Sequence, residues 1–162
     1  MDNFPVLLTK IILIVQVSVI MPVYNAAPYL DRAIQSALDQ PEVVELIVID
    51  DASTDGSDQI LKSWSLKTNR IRYLPAVSDR PQRAAAARNR GLALATAPFI
   101  AFLDADDYYL PGRFERTAAY FEAHPEVEGL IEPVEVRYEG SFSGPRLKRE
   151  KLGYQLRQST PW

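Results

Sequence analysis

A chain of 162 residues with 47% hydrophobic and 24% charged side chains has the size and composition of about one ordinary globular domain, able to bury a sizeable core. A net charge of −3 gives no electrostatic footprint for nucleic acid, and the absence of cysteine excludes a disulfide scaffold and a thiolate metal site. The charge is uneven: residues 1–139 carry 13 basic and 20 acidic side chains, a balance of −7, whereas residues 140–162 carry 5 and 1, a balance of +4. The last stretch is a different kind of segment.

Val6 to Val15 is strongly apolar, but Lys10, Gln16 and Pro22 interrupt the run before it reaches Val23. A spanning helix needs roughly 20 predominantly apolar residues, and no small-residue cleavage site follows. Residues 1–15 are therefore expected to lie outside the fold as an apolar leader. The expected location is cytoplasmic, with peripheral association at the cytoplasmic face of a membrane as the alternative.

Val17 to Met21 is β-rich and stops at Pro22, as a first buried strand should. After the turn Pro22-Val23-Tyr24-Asn25, Pro28 suits a first helical turn, and Leu30, Ile34 and Leu38 form a stripe at helical spacing. Val43 to Ile49 is a second strand ending in Asp50-Asp51, and Ala52 to Ser57 is a polar turn and capping stretch. Ile60, Leu61 and Trp64 mark a second helix, and Ile71 to Leu74 a third strand.

Arg80 to Ala95 reads as a third helix, opening near Pro81 and rich in alanine. Phe99 to Leu103 is an unbroken apolar run, the pattern of an interior strand buried on both faces. It flows into Asp104, Asp106 and Asp107. A fourth helix carries Phe114, Ala118 and Phe121 and stops near His124-Pro125, and Leu130 to Val136 is a fifth strand broken by Pro133. Strands alternating with helices of this length imply an α/β fold, a mostly parallel sheet with helices on both faces.

Two strands in this reading end in paired acids. In a parallel sheet those ends share one edge, so Asp50-Asp51 and Asp104/Asp106 line a common crevice. Like charges gathered there destabilise the fold unless a cation or hydrogen-bond donors offset them. Asp104 and Asp106 have one residue between them, so on extended backbone both side chains point to one side. Two hard oxygen ligands suit Mg²⁺ or Mn²⁺, which shares its remaining positions with water and substrate phosphates. A solvated acidic turn is the competing reading of this cluster. Arg83 and Arg90 lie seven apart, on one helix face, with Arg80 one turn before, and could complete a diphosphate clamp. Neither a GxGxxG stretch nor a Gly-rich loop with Lys and Ser/Thr is present, so dinucleotide and P-loop binding are not signalled.

Four stretches in order, Val17 to Asn25, Val48 to Ser57, Ala87 to Leu92 and Phe102 to Asp107, together resemble the family 2 glycosyltransferases of the GT-A fold. The resemblance implies a Rossmann-like nucleotide-binding domain over residues 16–138, with residues 139–162 as the basic start of an acceptor region. It implies a nucleotide-sugar donor, UDP-sugar favoured, and a saccharide or other hydroxyl acceptor. Pro22 and Tyr24 would pack around the nucleoside, and Asp51, with Asp50 beside it, would hydrogen-bond the base. Arg83, less strongly Arg88, would approach the nucleotide. Asp104 would face the ribose or the cation, and Asp106 would bind the metal at the diphosphate. The family's general-base carboxylate lies well beyond this DxD, and neither Glu132 nor Glu135 matches it. The catalytic base is thus expected outside this chain, and a non-catalytic nucleotide-sugar-binding module is the alternative. A phosphotransfer or receiver-like domain fits less well: Tyr108 stands where a phosphotransfer motif wants Thr or Val, and no receiver lysine is found.

Overall fold

The computed structural model describes residues 15–131. The chain divides into two compact units, Met1–Ala118 and Ala119–Trp162, and the first holds the sheet. Its elements in order are β1 (Val17–Val23), α1 (Leu30–Leu38), β2 (Val43–Asp50), α2 (Ser57–Lys67), β3 (Ile71–Leu74), α3 (Arg83–Leu92), β4 (Phe99–Phe102) and α4 (Glu115–Ala123), the last running across the division. Among the described residues the strands form one parallel sheet in the order β3-β2-β1-β4. This is the α/β architecture that the alternation of strands and helices predicts.

The two faces are covered by different helices. Val17, Val19, Met21 and Val23 point into one core with Leu30, Ile34 and Leu61 of α1 and α2. Ile20, Ile47 and Ile49 point into a second with Ala87 of α3. The chain winds from β1 to β3 with helices on the first face, then crosses to β4 with α3 on the other. The strand order therefore reverses between β1 and β4, and such switch points are where open α/β sheets bind ligands.

Pro22 lies within β1 instead of ending it. Leu103 donates its backbone N–H to Ile20 O, so residues of that parity face β4. At Pro22 β4 has already turned away, and the missing N–H removes no ladder bond. Val15 is buried and belongs to the core, one residue before the expected boundary. Residues 1–14 and 139–162 lie outside the described residues.

Two expectations need correction. Among the described residues β4 is an edge strand, with Ile100 43% and Phe102 47% exposed, because α3 packs over β1 and β2 and leaves that side of β4 open. The third helix is Arg83–Leu92, shorter than Arg80–Ala95. Pro81 disfavours helical backbone at Arg80, and Arg83 itself stands at φ 73°. Leu130 and Ile131 carry no strand, and the rest of the expected fifth strand lies outside the described residues.

A polar network secures the connection into β4. Ser18, fully buried in β1, donates its hydroxyl to Glu45 Oε1 at 2.6 Å, and the Thr96 N–H and hydroxyl both donate to the same oxygen at 2.7 Å. Ala97 N–H in turn donates to Ser18 Oγ at 3.0 Å. Burial pushes the Glu45 carboxyl up, but the Ser18 and Thr96 bonds and the Arg72 charge outweigh it, and the net shift is downward. A lowered pKa means stability that is present above the unfolded carboxyl's pKa and lost as pH falls through the folded one. Glu45→Gln is therefore expected to flatten the fall in urea midpoint between neutral and acid pH. Glu45→Ala should lower stability by about 1–2 kcal/mol at pH 7, since donors inside the fold lose their acceptor.

Candidate functional site

The site is built from three loops at the C-terminal ends of β1, β2 and β4. The first two are laced together by side chains. Asn25 N–H donates to Ser53 Oγ at 3.0 Å, and the Asn25 side-chain oxygen accepts Thr54 N–H at 2.8 Å. Ala26 N–H donates to Ser57 Oγ at 3.1 Å, and Ala27 N–H to Asp55 Oδ2 at 2.9 Å. The other Asp55 oxygen accepts the Ser57 N–H and hydroxyl. Asp55 is shifted downward: burial acts upward, and these hydrogen bonds exceed it. Much of the polarity of Ser53 to Ser57 is thus spent on holding the Tyr24 loop. Asn25 and Ala52 both lie in the left-handed region, at φ 50° and 65°. That conformation is ordinary for Asn and strained for Ala, so the surrounding bonds must hold it.

The third loop is fastened to α1. Gln40, 2% exposed, donates to Ser36 O and Leu110 O and accepts the Arg113 N–H at 3.0 Å. Tyr109 N–H donates to Ser36 Oγ at 3.0 Å, and the Tyr109 hydroxyl donates to Phe102 O at 2.9 Å. The acidic stretch that opens this loop is a turn, with Asp107 N–H donating to Asp104 O at 3.0 Å, and not the extended backbone that the spacing suggests. Alternation nonetheless persists: Leu103 and Ala105 are buried, and Asp104 and Asp106 are exposed.

These loops enclose a cavity of about 290 Å³. Pro22, Tyr24 and Tyr29 line it from β1 and the loop before α1, together with Asp51 from β2. Ala84 and Arg88 contribute from α3, and Asp104 and Asp106 from the loop after β4. Of the residues expected from the sequence, Pro22, Tyr24, Asp51, Asp104 and Asp106 meet here. Asp50 does not line the cavity; it is 4% exposed and accepts Ser53 N–H at 3.2 Å. Arg83 also stays out of the wall, and Arg90 donates to Pro75 O at 2.8 Å, so the clamp of Arg83 and Arg90 is not formed.

Tyr29 and Ala84 also line the wall, as does Arg88, the less favoured of the two arginines that the resemblance implies. Ala87 and Gly91, small residues four apart, are the buried side of α3 that meets the sheet, and Arg88 stands beside it. Arg88 Nη2 donates to Asp104 Oδ1 at 2.5 Å, and its guanidinium lies 5.8 Å from the centre of the Phe102 ring. Asp51 Oδ1 accepts Gln82 N–H at 2.7 Å, which ties the start of α3 to β2. The Asp107 carboxyl is shifted upward by burial first and by the Asp106 and Asp104 charges next.

Asp104 and Asp106 are hard oxygen donors, and the Arg88 guanidinium already occupies a cation's place beside one of them. The donor set therefore fits a divalent cation in kind. In number it is incomplete: among the described residues no group of three or more His, Cys, Asp or Glu side chains could hold a metal. A cation held by these two carboxylates would need further oxygens, of the kind that water and phosphate supply at Mg²⁺ sites.

The family model for glycosyl transferase family 2 matches residues 18–159. The chain belongs to this family. A succinoglycan biosynthesis protein, ExoU of Rhizobium meliloti, is 41% identical over 97 residues, covering 60% of this chain and 28% of the relative. The putative teichuronic acid biosynthesis glycosyltransferase TuaG of Bacillus subtilis is 39% identical over 101 residues, covering 62% and 39%. Among solved structures, the mannosyltransferase PcManGT of Pyrobaculum calidifontis, in complex with GDP-Man and Mn²⁺, superposes with a TM-score of 0.62 at 27% identity. That match covers 75% of this chain and 36% of the other. S. aureus TarS in complex with UDP-GlcNAc gives 0.60 at 27% identity, covering 76% and 37%. The family 2 chain spans well under half the length of these relatives. The GT-A fold expected from its motifs is the fold of these neighbours, and no helix among its described residues is long and apolar enough to cross a membrane.

Proposed function

We propose that this family 2 domain binds a nucleoside-diphosphate sugar, a UDP-sugar in preference, for transfer of the sugar to the hydroxyl of a saccharide or similar acceptor. The observation that carries the reading is the cavity at the β1/β4 switch point, aromatic at one part of its wall and charged at another. Tyr24 and Tyr29 are 53% and 43% exposed and offer ring faces to a base, a contact worth about 1–3 kcal/mol per stacked base. Asp51 has one oxygen committed to Gln82 N–H, and the other is available to accept an N–H from the base. Asp104 serves the ribose or the cation, and Asp106 the cation. Mg²⁺ or Mn²⁺ bound there would act as a Lewis acid on the leaving diphosphate. Arg88 supplies a guanidinium matched to phosphate oxygens.

No residue is assigned as the general base, whose contribution is worth roughly 10²–10⁴-fold. Glu132 and Glu135 lie outside the described residues. The second reading is a module that holds the donor without transferring it. Calorimetric titration with UDP, GDP and dTDP in Mn²⁺ tests the donor assignment. UDP is expected to bind tightest, and GDP binding tighter would reassign the base. Silence from all three would remove the donor site altogether. Release of UDP from a UDP-sugar in the presence of candidate acceptors, set against release in their absence, separates transferase from module.

A further inference from the structure

The Arg88–Asp104 pair competes with a loaded donor site of the kind just proposed, because Arg88 Nη2 holds Asp104 Oδ1 at 2.5 Å and neutralises the carboxylate that would face a divalent cation. The pair is half open to solvent, with side-chain exposures of 35% and 50%. It is therefore exchangeable, unlike a sealed core ion pair. Arg88 Nε is buried without a hydrogen-bond partner, so the guanidinium is incompletely satisfied where it stands, and phosphate oxygens would offer its N–H groups better acceptors. The Phe102 ring at 5.8 Å gives it a surface along which to move. On the metal's side, two carboxylates are too few to hold a divalent cation well, and one of the two is already neutralised.

We infer that Arg88 is a built-in counter-cation that bars free metal from Asp104 and yields it only when a diphosphate arrives, making metal and nucleotide binding mutually dependent. The inference rests on the donor site proposed above. Without nucleotide, an incoming cation must displace a positive charge and leave it unpaired beside the new one. With nucleotide, the diphosphate accepts Arg88, and the freed Asp104 joins Asp106 and the phosphate oxygens around the cation. By linkage, each ligand then strengthens the other by the same factor. Arg88 is a positioning residue in this scheme.

The test is Mn²⁺ binding to the whole chain followed by electron paramagnetic resonance, first without nucleotide and then with saturating UDP. Arg88→Gln is expected to bind Mn²⁺ alone roughly five- to tenfold more tightly than wild type, the low end of ordinary site–site coupling, while losing most of the strengthening that UDP brings. Arg88→Lys, which keeps the charge, should stay close to wild type in Mn²⁺ alone. Circular dichroism confirms that both variants are folded. An Arg88→Gln chain that binds Mn²⁺ alone no better than wild type overturns the exchange, provided wild type shows coupled Mn²⁺ and UDP binding. If wild type binds neither, the donor site itself fails, and the exchange with it.

Discussion

Gly91→Ala is expected to destabilise the chain by about 1–3 kcal/mol, the range for overpacking a well-filled core. Helix propensity alone predicts the opposite, since alanine is favoured over glycine by about 1 kcal/mol inside a helix. Position decides the sign. A Cβ at Gly91 would lie 2.5 Å from Ile20 Cγ2 and 3.1 Å from Ile49 Cδ1. Ile20 is fully buried in β1, with β2 and β4 on either side, and as a β-branched residue it has little χ1 freedom. Neither the methyl nor its strand can move away, so α3 must lift. Because α3 carries Ala84 and Arg88 to the cavity, the lift should also weaken donor binding. At roughly 2–4 °C per kcal/mol for a chain of this size, thermal melting resolves the effect, and Gly91→Val should be worse. An alanine variant as stable as wild type would mean that α3 does not lie this close to the sheet.

Asp51→Ala is expected to damage both stability and donor binding. Asp51 is 7% exposed; its carboxylate takes the Gln82 N–H, and its own N–H donates to Val23 O at 2.8 Å. Removing the carboxylate leaves Gln82 N–H without an acceptor next to Arg83, which is held at φ 73°. Gln82 is exposed, so the loss is that of one hydrogen bond, about 0.5–1.5 kcal/mol. The same change removes the oxygen assigned to the base, and nucleotide affinity should fall by about tenfold or more, equivalent to at least about 1.4 kcal/mol. Asp51→Asn separates the two roles. Its amide oxygen can still accept Gln82 N–H, so urea stability should return, but its NH₂ then stands where the base needs an acceptor, and affinity should not. Recovery of both would make Asp51 a purely structural residue.

The sheet was legible in the sequence because its inner strands are continuous apolar runs and its helices carry amphipathic stripes. The placement of Asp51, Asp104 and Asp106 followed from one rule, that carboxylates closing parallel strands meet at one edge. What could not be read was any feature set by a partner distant in sequence. Phe99 to Phe102 looks like an interior strand from composition alone, but its exposure depends on where α3 lies. The start of α3 depends in part on such a partner, since Gln82 N–H bonds Asp51, 31 residues earlier, and of the two arginines it is Arg88 that lines the cavity. Asp50 and Asp51 are adjacent and chemically identical, and only the turn to Ser53 distinguishes the one facing inward from the one lining the cavity. The block Ser53 to Ser57 looked like capping and turned out to be the fastening between two loops.

The central claim is that this cavity holds a nucleoside diphosphate through a cation at Asp106. Titration of UDP into the wild-type chain and into Asp106→Ala, each in Mn²⁺ and in a chelator, tests it directly. Binding should appear in wild type with Mn²⁺, vanish in the chelator, and weaken by about tenfold or more in the variant, as loss of a metal-bound group implies. UDP that binds equally well with metal or chelator, and equally to both proteins, would contradict it.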